Sequence, residues 1–159
     1  MFGRLFGIPN LRRINDGVLR TGRNFTEDFY VYNVNFGDVA SGANANQQSI
    51  TIQADSHFEW VMSTASALVN GQSAPFSDAI ILPLAVQIQD GGSGRQLFSA
   101  PVNLTDIAGL GREPFYLPVP RIFMSKSQVV FNLTNNDPAA TYNDISWNLI
   151  GRKIFDLNS

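Results

Sequence analysis

"IQDGGSGRQLF", residues 88 to 98, decides how the chain is read. Glycines leading into a basic residue suit a phosphate cradle, and they suit equally well the tip of a β-hairpin. A phosphate loop needs a strand, then the glycines, then a helix whose N-terminus faces the anion, with Lys-Ser or Lys-Thr after the last glycine. Here Arg95-Gln96 follows, and no helical period comes after it. The preceding "AIILPLAVQIQ" has period two, with Ile80, Leu82, Leu84, Val86 and Ile88 on one face. "RQLFSAPV" after the glycines reads as a strand too. Asp90 to Gly94 is therefore expected to be a hairpin tip, its glycines taking positive φ.

The same period runs outward in both directions. "FYVYNVNF" (Phe29 to Phe36) is β-branched and aromatic, and "SITIQA" alternates with Ile50 and Ile52 on one face. "HFEWVMSTA" is expected to set Phe58, Trp60 and Met62 against His57, Glu59 and Val61. "SQVVFNLTN" and "YNDISWNLIGRKIF" supply two more strands, with Trp147 inward. "SGANANQQ" and "NGQSAPFSD" read as loops. "DIAGLGREPFYLPVPRIF" (Asp106 to Phe123) reads as a long connection that Pro114, Pro118 and Pro120 keep extended and out of interior ladders. About eight short strands with no convincing helix predict an all-β fold. The long crossing connections favour a jelly-roll or Greek-key β-sandwich over a simple meander.

Residues 1 to 24 differ. Gly3, Gly7, Pro9, Gly17 and Gly22 interrupt any period, yet Phe2, Leu5, Phe6, Ile8 and Leu11 are too apolar for a free tail. Arg4, Arg12, Arg13, Arg20 and Arg23 stand against Asp16 alone, so residues 1 to 23 carry +4. The remainder holds 6 basic and 12 acidic residues, or −6, for a whole of −2. An extended basic and apolar N-terminal arm, 1–24, is expected to precede a sandwich domain, 25–159. Fully extended, such an arm reaches roughly 80 Å. Its mixture of Arg with Phe and Ile suits a protein partner better than nucleic acid, since forks pair with carboxylates while apolar groups fill pockets.

Composition narrows the chemistry. Charged residues make up only 15%, well below the usual quarter, and neutral polar residues replace them. Neutral surfaces lose less hydration when a partner covers them. With no Cys and one His, a thiolate site is excluded and a His-based site must use His57. The longest apolar run, Ala79 to Val86, is too short to span a bilayer. Asp55, Ser56 and His57 have the residue types of a triad, but neighbours on a strand point to opposite faces, so a polar turn is the better reading. A glycosidase pair would come from Glu27, Asp28, Glu59, Asp78, Asp106 and Glu113, and spacing selects none. Asp90, Asp137 and Asp144 lie in or near turns without a calcium-loop pattern. Trp60 and Trp147 are expected in the core rather than on a sugar platform.

The DGGSGR hairpin, the "PFYLPVPRIF" connection, the "LTN" strand end and the closing "LIGRKIF", over roughly residues 25 to 159, resemble small β-sandwich virion proteins of tailed bacteriophages. The resemblance is to accessory proteins that decorate or cement capsids. It implies a non-enzymatic protein on the capsid surface, with no cofactor, metal or catalytic residue. The implied partners are the major capsid protein and further copies of the chain, a trimer before a dimer, with neither nucleic acid nor membrane. The arm residues Phe2, Arg4, Leu5, Phe6, Ile8, Leu11, Arg12, Arg13, Arg20 and Arg23 would then contact the partner. Another virion part, such as a tail, connector or receptor-binding module, and a sugar-binding sandwich stay open as alternatives.

Overall fold

In the computed structural model the chain is described over residues 25–42, 44–73 and 82–156. Ten strands follow in order: β1 (Phe25–Val39), β2 (Asn44–Thr51), β3 (His57–Val69), β4 (Gln72–Ser73), β5 (Leu84–Asp90), β6 (Arg95–Gln96), β7 (Val102–Asn103), β8 (Phe115–Phe123), β9 (Gln128–Asn135) and β10 (Tyr142–Asp156). One short 3₁₀ turn, Leu104–Asp106, follows β7. All strand pairings are antiparallel.

The strands form two sheets. The first runs β1-β10-β3, with β4 and β8 both lying along the far edge of β3. The second runs β2-β9-β5, with β6 and β7 along the far edge of β5. With β6 and β7 taken as one edge position and the short β4 set aside, eight positions remain. Their order is first-eighth-third-sixth over second-seventh-fourth-fifth, which is the jelly roll with its two Greek keys. The expected fold class therefore stands, but the stretch Asp106 to Phe123 is not one long connection: its Phe115–Phe123 part is strand β8, the sixth of the eight positions, which its prolines confine to the sheet edge.

Alternation builds the core between the sheets. Leu84, Val86 and Ile88 of β5 meet Val129, Phe131 and Leu133 of β9, all fully buried. Across from them lie Tyr32, Val34 and Phe36 of β1 and Ile145, Trp147 and Leu149 of β10. Trp147 stands edge-on to Trp60 and Phe131, at centroid distances of 5.9 and 5.6 Å. Trp60 in turn stacks on Phe123. Both tryptophans are core residues, as expected.

Further local expectations change. In β3 the inward set switches from Phe58 and Trp60 to Ser63, Ala65 and Ala67, and Met62 is only half-buried. Val61 is the extra residue: Gly151 opposes Trp60 while Ile150 opposes Met62, so a β-bulge flips every later side chain. The stretch read as the loop "SGANANQQ" already belongs to β2 from Asn44 onward. "RQLFSAPV" is not one strand: β6 and β7 are two residues each, with an irregular segment between them. Asp90 to Gly94 is the expected hairpin tip, with Asp90 paired to Arg95, but of its three glycines Gly94 alone takes the expected positive φ, at +68°.

Candidate functional site

The carboxylate of Asp90 organises that tip. It accepts the Gly92 amide at 3.0 Å and the Ser93 hydroxyl at 2.8 Å. Arg121 of β8 reaches across from the other sheet and pairs with it at 3.1 Å. Burial alone would raise the Asp90 carboxyl, but the hydrogen bonds from Ser93, Arg121 and Gly92 outweigh it and hold the group below the usual carboxylate range. The tip of one sheet is thus fastened to the edge of the other.

Beside that fastening, a groove of about 330 Å³ opens between the sheets. Arg95, Gln96, Leu97 and Phe98 form one wall. Phe115, Leu117, Pro118, Val119 and Arg121 form the other, with Trp60 and Ile107 between them. The β8 wall follows from its prolines. Tyr116 pairs with Met62 and Arg121 with Trp60, so Leu117 to Pro120 face a single residue of β3, Val61. Pro118 and Pro120 have no N–H to give the ladder, and the chain bows outward there. Gly109 supports this wall from below: a Cβ at that position would lie 2.0 Å from the Glu113 carbonyl. The volume falls at the low end for small-ligand sites, about 300–1,000 Å³. Among the described residues that line it, the ionisable groups are the two arginines, and Arg121 Nε is buried without a hydrogen-bond partner. The groove offers donors and apolar surface, so it suits an apolar group with carboxylates beside it.

The other candidate residues resolve as structural. Ser56 is buried and donates to Asp55 at 2.9 Å, while His57 Nδ1 accepts the Ser125 amide at 3.0 Å. The three do not converge. Of the six carboxylates considered as acid and base, Glu27 and Glu59 do meet, but around Arg152, which donates Nη1 to the first and Nε to the second. Glu59 is completely buried there. Asp78 lies outside the described residues, and Asp28, Asp106 and Glu113 are exposed. Asp137 caps its own turn through the Ala139 and Ala140 amides. Among the described residues, no group of three His, Asp or Glu is placed to hold a metal ion. Phe2, Arg4, Leu5, Phe6, Ile8, Leu11, Arg12, Arg13, Arg20 and Arg23 all lie outside the described residues.

The groove escaped sequence reading because its two walls come from residues 95–98 and 115–121, which periodicity assigns to a strand and to a connection. The pair of prolines around Val119 was the available signal.

No protein-family model and no curated protein matches the chain. Among solved structures, the chain is similar to dimeric latent PorU from Porphyromonas gingivalis, at 11% identity and a TM-score of 0.38, over 84% of this chain and 13% of that one. It is also similar to a structure of infectious bursal disease virus, Gx strain, at 10% identity and 0.37, over 80% of this chain and 36% of that one. The VP2 subviral particle of infectious bursal disease virus gives 11% and 0.33, over 86% and 38%. The chain thus spans only 13 to 38% of the length of these structures. Superpositions this loose do not bear on what the chain does.

Proposed function

We propose that the chain is a non-enzymatic virion structural protein of the capsid decoration or cement type. In this reading it binds the major capsid protein lattice through its sandwich body and its N-terminal arm. One observation carries the proposal: the strand order is that of the jelly roll, an architecture that viral shell domains and lectins share. Fold alone does not select between those uses. The resemblance of residues 25 to 159 to phage virion proteins favours the virion, as does a 15% charge content that lowers the cost of covering the surface. The split between a basic arm and an acidic body gives the attachment a direction.

Removing residues 1 to 24 tests the reading. The core residues named above all lie after Phe25, so the truncated chain should keep its cooperative thermal transition. It should also lose attachment to particles, measured by co-sedimentation. Undiminished attachment by the truncated chain would refute the role of the arm. Quantitative mass spectrometry of purified particles then tests the rest. A simple ratio to the most abundant shell protein fits a decoration protein, and a few copies per particle points instead to a tail, connector or vertex.

A further inference from the structure

Six large apolar side chains are exposed among the described residues: Phe29, Val31, Leu110, Tyr116, Val119 and Met124. All six belong to two places. Phe29 and Val31 lie on β1, and the other four lie on β8 or in the segments that enter and leave it. These strands are opposite edges of the same sheet. The exposure is large where it matters, 73% at Phe29 and 67% at Val119. Neither edge has a described partner strand on its outer side.

The charges beside the two edges are opposite. Glu27 is already paired with Arg152 and Arg121 with Asp90, which leaves exposed Asp28 beside Phe29 and exposed Arg95 on the groove wall near Val119. Two β1 edges brought together would oppose acid to acid, and two β8 edges would oppose arginine to arginine. One β1 edge against one β8 edge matches apolar to apolar and acid to base. We infer that a second copy of this chain occupies the groove head to tail, with Phe29 of one copy seated beside Val119 of the next. Such a contact is heterologous, so it propagates around a ring or along a row rather than stopping at a two-fold pair. The inference does not rest on the virion reading, because it uses only the two edges.

The chain has no cysteine, which makes the test direct. Phe29→Cys and Val119→Cys are prepared as separate full-length variants, both at exposed sites. Unchanged thermal transitions establish that both fold. Treated with a short bis-maleimide, the mixture should give a cross-linked pair, and neither variant alone should. Adding Arg95→Glu to the Val119→Cys chain should lower the yield, and adding Asp28→Lys to the Phe29→Cys chain should restore it. Cross-linking of Phe29→Cys with itself overturns the head-to-tail geometry. A monomer mass that stays independent of concentration for the unsubstituted full-length chain in analytical ultracentrifugation overturns self-association through this groove, whatever the cross-linking yield.

Discussion

Gly151 shows how much a single residue sets in this sandwich. It sits on β10 opposite Trp60, at the bulge that turns the inward set of β3. A Cβ there would lie 1.8 Å from the Glu59 carbonyl oxygen and 2.9 Å from its carbon, both backbone atoms that cannot step aside. Gly151→Ala should therefore push β10 away from β3 and destabilise by on the order of 1–3 kcal/mol, as overpacking in a dense interior does. Chemical denaturation reads this as a lower midpoint with an unchanged slope. An unchanged midpoint would mean that the two strands have room the geometry denies. Nothing in "NLIGRKIF" reveals this contact, because its partner lies far away in sequence. Asn135 is a second such case. It is fully buried, and its amide donates to the Val39, Ala40 and Ala140 carbonyls. In the sequence it is one more polar residue at a strand end.

At the scale of elements, the alternating strands were legible and the irregular ones were not. β5, β9 and β10 show period two because one face is apolar and buried. β2 hides it, because its half-buried face begins with Asn46 and Gln48, which bond to each other and to the Phe36 carbonyl instead of packing. The β3–β4 turn is Asn70-Gly71, the pair that accepts positive φ at both positions, inside the stretch "NGQSAPFSD" whose Gly/Pro composition reads as a loop. The β5–β6 hairpin was legible as a tip, but its fastening to β8 by Asp90 and Arg121 was not. That fastening predicts a pH dependence. The Asp90 carboxyl is held below its unfolded value of about 3.9. Its contribution is therefore fully present above that pH and fades as pH falls through the lower folded value. Acidification in that window should first loosen the tip. Hydrogen exchange at Gly92, whose amide bonds to Asp90, should rise relative to Ile88 in the core. Asp90→Asn should show the faster exchange already at neutral pH. Equal exchange in the variant and the parent would place the order of the tip elsewhere.

The sandwich is closed by its first and last strands. β1 pairs with β10 from Phe25 and Asp156 to Val39 and Tyr142, so the seam that completes the first sheet joins the start of the sandwich to its finish. β2 pairs with β9 in the same nested way. Closing such loops costs entropy before any contact repays it, and jelly-roll sandwiches therefore fold slowly, in about milliseconds to seconds. The nesting also orders the events. The β5–β9 and β3–β8 contacts close shorter loops and can form without β1 and β10 joined, whereas among the described strands β1 pairs with β10 alone. The β1 seam is expected to form after the transition state. Val34 is buried in that seam, and Val34→Ala removes core contacts without touching a turn or a charge. Stopped-flow measurements should find that this variant unfolds faster while its refolding rate stays close to that of the parent. A matching loss in refolding rate would put the seam in the nucleus instead. The edge left exposed by β1 would then be a surface that forms early, with Phe29 on it, and chains still folding could meet through it before the groove exists to receive it.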